Sequence, residues 1–264
     1  MSKYRQLLKA ILSADYLPMT VHDHLVAPVE RSVILRHDVD REVGRNLAMA
    51  RLEHSMGIRS TYYFRHVKDV FIPDAIREVA AMGHEVGFHY EVMDKAKGDK
   101  QKALSIFREE LEDLRRYAEV TTACMHGNPL ASWSNRDLWT DYDFWDFGLI
   151  GEPYFSMDYS KVLYLTDTGR TWADRKIRVK DILDDSDASS DRLTCNVRTT
   201  DDVIGLVSSR EFSQICILAH PNRWCDGMAG WTRELVMQNV KNVGKAGIIQ
   251  YRKFSSSKSK SRTG

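Results

Sequence analysis

Short apolar runs alternate along this chain with longer stretches in which apolar residues recur every three or four positions. The first period predicts buried strands and the second amphipathic helices. Val33-Ile34-Leu35 is the first such run, and it breaks into Arg36-His37-Asp38-Val39-Asp40, in which all but Val39 are ionisable. Further strands are expected at Ser60–Phe64, Glu85–His89, Val120–Met125, Val162–Leu165 and Ile215–Leu218. Between them, helical spacing runs from Arg41 to Met56 through Val43, Leu47 and Ala50, with Gly57 suited to the C-cap. Pro73 opens the next helix, with Ile76, Val79 and Ala80 on one face. Lys100 to Tyr117 carries the stripe Ala103, Phe107, Leu111 and Leu114; Thr200–Ser208 and Thr232–Lys245 complete the helices. Residues 130–159, rich in Trp, Tyr, Asp and Gly, read as long connections.

Strand alternating with helix over short crossovers predicts an α/β fold with parallel strands. Polar residues at nearly every strand exit favour a single-domain, distorted or incomplete (β/α) barrel over an open doubly wound sheet, which stays the alternative. A dinucleotide-binding sheet is disfavoured, since no G-x-G-x-x-G follows the first strand. The expected organisation is an N-terminal helix and lead-in over 1–30, the barrel over 31–254 and a disordered basic tail over 255–264.

In such a barrel the carboxyl ends of the strands share one mouth. The exits bring Asp38, Asp40, Arg65, His89, His126, Asp167 and His220 to it. Asp38 and Asp40 lie two residues apart and point the same way, and two adjacent carboxylates repel unless a cation, an arginine or a shared proton relieves them. Carboxylates and imidazoles on rigid strand ends suit a catalytic divalent metal, zinc foremost, with cobalt, iron or manganese as alternatives. Trp133, Trp139, Trp172 and Trp224 are candidate stacking surfaces.

Bulk composition narrows the partners. In 264 residues, Lys+Arg of 38 against Asp+Glu of 37 gives no net field for nucleic acid or acidic membranes. Cys124, Cys195, Cys216 and Cys225 show no C-x-x-C pairing, which fits a reducing compartment. No run approaches the ~20 apolar residues of a membrane span, and Met1–Tyr16 lacks the apolar core of a signal peptide. A cytoplasmic location follows as the expectation.

His37-Asp38-Val39-Asp40, Gly83-His84-Glu85-Val86-Gly87-Phe88-His89 and Leu218-Ala219-His220-Pro221 together resemble the polysaccharide deacetylases, carbohydrate esterase family four, over roughly residues 33–247. The resemblance implies a distorted barrel and metal-dependent removal of N-acetyl groups from amino sugars. It implies Asp38 as general base, Asp40 and His89 as metal ligands and His220 as general acid. Asp167 with Trp172 resembles the family segment that orients the base and lines the sugar groove, with Arg65 and Trp224 as further substrate contacts. For a cytoplasmic chain the expected substrate is a nucleotide-linked or lipid-linked sugar precursor rather than a wall polymer.

The pattern departs from the family at one ligand. The second metal histidine of the family lies four residues after the first, where this chain has Met93. His126 is the first replacement expected, because it leaves the neighbouring strand beside the permissive Gly127; Glu91 is the second. His84 precedes its strand and belongs at the opposite end of the barrel. The arginine-bearing family motif is not recognisable, and Arg36 or Arg65 would supply its charge. Two alternatives remain at this point: hydrolysis of another C–N bond, such as a cyclic imide or amide, and a non-catalytic carbohydrate-binding relative.

Overall fold

The computed structural model describes residues 1–128, 130–168, 172 and 193–224. The helix expected at 232–245 and the tail at 255–264 lie outside the described residues. Seven parallel strands form the sheet: β1 (Leu17–Met19), β2 (Ser32–Val39), β3 (Thr61–Phe64), β4 (Glu85–Tyr90), β5 (Ala123–Met125), β6 (Val162–Thr166) and β7 (Gln214–Ala219). Their order is β5-β4-β3-β2-β7-β6. β1 and β3 share one margin of β2, β1 taking Ser32–Ile34 and β3 taking Arg36–Val39. The sheet curls into a half-barrel; β5 and β6 do not pair, and a bridge from Thr122 to Gly151 extends the β5 margin. The expected incomplete (β/α) barrel is what forms.

The helices are α1 (Ser2–Ser13), α2 (Val21–Val26), α3 (Val43–Ser55), α4 (Pro73–Ala81), α5 (Val92–Lys95), α6 (Lys100–Arg115), α7 (Pro153–Ser156) and α8 (Thr200–Ser209). Local chemistry sets their starts. Asp99 caps α6 by accepting from Lys102 N at 3.0 Å, and Thr199 with Asp202 forms a capping box on α8. α3 begins two residues later than the periodicity predicts, because Glu42 adopts the left-handed conformation (φ 55°) and its carboxylate pairs with Arg45 at 2.6 Å. β1, α2 and α5 escape a periodicity reading because each is too short to express one. The region 130–159 contains 3-10 turns at Asn135–Thr140 and Phe144–Phe147 besides α7.

Alternation along β2 divides the molecule into two interiors. Val33 and Leu35 face outward into a core shared with Leu7, Leu8 and Ile11 of α1, Met49 of α3 and Val203 of α8. Full burial of each such aliphatic contributes roughly 1.5–3 kcal/mol. Ile34 faces the inside of the half-barrel, as do Arg36 and Asp38. Gly87 of β4 is a packing requirement there. A Cβ at this position would stand 2.3 Å from Tyr63 Cε1, so only glycine lets the Tyr63 ring cross the interior. That ring and Tyr154 flank the Arg36 guanidinium, each centroid 5.3 Å away.

Candidate active site

The carboxyl ends of β2, β4 and β5 bring Asp40, His89 and His126 together, with their ligating atoms all within 4.8 Å of one another. Asp40 Oδ1 stands 3.6 Å from His89 Nε2 and 3.7 Å from His126 Nε2. Two ligands at the usual zinc distance on a tetrahedron lie about 3.3 Å apart, so small side-chain movements would close this set on an ion. Two further observations fit a cation. Among the described residues, Asp40 Oδ1 is buried without a hydrogen-bond partner. His89 Nδ1 is engaged at 2.9 Å by the carbonyl of Cys124, which fixes the tautomer with the Nε2 lone pair toward Asp40. Without an ion, burial depresses His89, but Asp38 and Asp40 outweigh that effect and raise it above its ordinary value.

Asp38, Cys124 and His89 form a second group of donor atoms. Arg36 already occupies it electrostatically. Its Nη2 donates to both oxygens of Asp38, at 3.0 and 3.2 Å, and to Cys124 Sγ at 2.8 Å. A fixed guanidinium at contact distance repels a metal, so the group containing Asp40 and His126 is the one available to an ion. Arg36 is fully buried. Burial pushes Asp38 up, yet Arg36, His89 and His220 hold its carboxyl below the usual range and therefore ionised.

Beside this cluster, the ends of β6 and β7 place Asp167 and His220. His220 Nδ1 lies 2.6 Å from Asp167 Oδ1, and His220 Nε2 lies 3.9 Å from Asp40 Oδ2. Asp167 also accepts from the His220 backbone N–H, from Arg223 Nη1 at 3.0 Å and from Trp224 Nε1 at 2.9 Å. Burial raises Asp167, but Arg223 and His220 outweigh it and keep the carboxylate charged. An ionised acceptor on Nδ1 orients the imidazole and presents Nε2 to the mouth.

The remaining sequence candidates fall elsewhere. Arg65 leaves β3 at the rim, donates to Glu91 Oε2 at 2.5 Å and to the Asp40 carbonyl at 3.3 Å, and so braces the site. Trp172 and Trp224 are both buried in the helix-side core, with ring centroids 6.3 Å apart. Trp224 reaches the site through its indole N–H on Asp167, and Trp172 donates to Thr200 Oγ1 at 3.2 Å. Trp133 donates to Asp94, and Trp139 donates to Tyr90 within an aromatic cluster around Phe107. Met93 is buried in the hydrophobic core. His84 lies at the far end of β4, where its Nδ1 accepts from Ser60 N. The link between Arg36 and Asp38 is the feature sequence reasoning left open, and its signal was their two-residue spacing on one strand face.

No family model matches the sequence, and no curated protein matches it. Two solved structures are similar. One is a mutant of a CE4 family pseudoenzyme with restored enzymatic activity, with 14% identity, a TM-score of 0.39, and coverage of 83% of this chain and 64% of that one. The chain thus spans less than two thirds of that protein's length. The other is the Xyl-CE4 domain of a multidomain xylanase from the hindgut metagenome of Trinervitermes trinervoides, with 14% identity, a TM-score of 0.36, and coverage of 83% and 85%. Among the described residues no helix is long and apolar enough to cross a membrane.

Proposed function

We propose that this chain is a divergent polysaccharide deacetylase, a metal-dependent hydrolase that removes an N-acetyl group from an amino sugar or glycan precursor. The observation that carries the reading is the convergence of Asp40, His89 and His126 from three strands, with Asp38 and His220 both within reach of the same point. A divalent ion held by Asp40, His89 and His126, zinc in the first instance, would polarise the acetamide carbonyl and lower the pKa of a bound water. Asp38, kept ionised by Arg36, takes a proton from the attacking water at a carboxylate oxygen. His220, oriented through Nδ1 by Asp167, delivers a proton from Nε2 to the departing amine nitrogen. Arg65 holds the rim through Glu91 and the Asp40 carbonyl, which leaves its guanidinium a supporting role.

The test is acetate release from N-acetylated sugars and sugar nucleotides by protein reconstituted with zinc or cobalt, with metal content measured alongside. Replacing His220 by Ala should lower turnover by roughly 10²–10⁴-fold and leave the metal bound. Loss of metal in that variant would overturn the assigned roles. Ammonia or a ring-opened product in place of acetate would move the chemistry to another C–N bond. Bound metal without turnover on any of these substrates would point to a carbohydrate-binding relative.

A further inference from the structure

We infer that Glu91 is the positioning residue for His126, and that Glu91 and Asn135 together let this chain take its third imidazole from β5 instead of from the segment after β4. The inference rests on the reading of Asp40, His89 and His126 as the cation site. Parallel pairing puts His89 opposite Cys124 and Tyr90 opposite Met125. His126 N then donates to the Tyr90 carbonyl at 2.8 Å, so the ladder runs one step past the strand ends and leaves His126 beside Glu91. Glu91 Oε2 lies 3.4 Å from His126 Nδ1. Among the described residues no group hydrogen-bonds that nitrogen, so Glu91 faces it without competition.

Glu91 is itself fixed. Arg65 Nη2 donates to it at 2.5 Å, and Lys95 Nζ stands 3.9 Å away. A carboxylate behind Nδ1 selects the tautomer that carries its proton there, which frees Nε2 toward Asp40. Asn135, itself buried, secures the backbone. Its Nδ2 donates to the His126 carbonyl at 2.8 Å, and its Oδ1 accepts from Met93 N at 2.9 Å. The loop that carries His126 is thereby tied to the position where a histidine is missing. Glu91 serves as a support for the ligand and does not itself join the ion.

The experiment uses the full chain, stripped with a chelator and titrated with cobalt(II), read by its visible absorption and checked by zinc competition. E91Q should weaken cobalt binding about 10–100-fold, with E91D falling between E91Q and the unaltered chain. H126A should weaken it at least as far. Adding E91Q to H126A should then change affinity less than about 2-fold, because a residue acting through an absent partner has nothing left to act on. Thermal unfolding of the apo forms controls for general damage. Failure of the unaltered chain to bind cobalt or zinc overturns the cation site itself. Cobalt lost in H126A but retained in E91Q overturns the role of Glu91 alone, as does an equal E91Q effect in both backgrounds.

Discussion

His37 and Asp38 are neighbours in sequence, and their side chains leave β2 on opposite faces into two clusters of nearly the same chemistry. Outside the sheet, Glu53 of α3 is fully buried among His37 Nε2 at 2.8 Å, Ser60 Oγ at 2.6 Å, Tyr62 OH at 2.7 Å and the Tyr4 hydroxyl. Both of its oxygens are engaged, and His84 completes the surround at 3.9 Å. Inside, Asp40 Oδ1 stands farther from its imidazoles, 3.6 Å from His89 Nε2 and 3.7 Å from His126 Nε2, and among the described residues it has no hydrogen bond. Composition alone does not separate these clusters. What separates them is saturation: donors matched to acceptors make a structural hub, and acceptors left over make a place for an ion.

That contrast is broken most severely by Asp40→Ala. Metal affinity should fall by more than about 100-fold, beyond the effect of losing an outer-shell partner, and turnover should go with it. The apo protein should also lose some stability in urea, because His89, His126 and His220 outweigh burial and hold the Asp40 carboxyl well below its usual range, so its charge supports the fold. Isothermal titration and urea unfolding measure the two halves. Glu53→Ala should spare the ion instead, costing about 3–5 kcal/mol in urea unfolding by stranding buried donors, with cobalt affinity in the surviving folded fraction unchanged.

The same hub predicts acid sensitivity. Burial alone would raise Glu53, but His37, His84 and Ser60 overcome it and hold the carboxyl at about 2, against an ordinary 4.5. A depressed carboxyl stabilises the fold above its unfolded value, and that contribution, on the order of 3 kcal/mol, should disappear as pH falls from about 4.5 toward about 2. Burial also lowers His84 below its ordinary value, so its protonation opposes folding as pH drops below about 6.5, with the same sign. Urea midpoints across this range for the native chain and Glu53→Gln test the assignment, because the variant should lose most of the lower slope. The smallest effect expected is that of Met93→His. The side chain points into the core, so the imidazole should cost about 1–3 kcal/mol of stability and add nothing to cobalt affinity.

Much of the mouth was legible because strand exits and period-two spacing are local properties of sequence. Asp38, Asp40, His89, Asp167 and His220 follow from them, and His126 follows from the end of the neighbouring strand. The supports were less visible. Asn135 and Glu91 act across the β4–β5 register, which leaves no trace in either segment alone. Glu53 did leave one, a charged residue three positions after Ala50 on the buried face of α3, but its partners come from α1, β2 and β3. The tryptophans show the limit of residue type as a guide: ring count says nothing about whether a face is packed or open, and Trp172 and Trp224 are packed.

β5 is only three residues long, and its alignment is pinned from three directions. Arg36 grips Cys124 Sγ, Glu152 Oε1 accepts from Met125 N at 3.0 Å, and Asn135 holds the His126 carbonyl. A slip of one residue would turn Cys124 and His126 to the opposite side of the sheet. The chain can therefore be disabled without touching any atom that would meet an ion, simply by loosening the pins on its shortest margin.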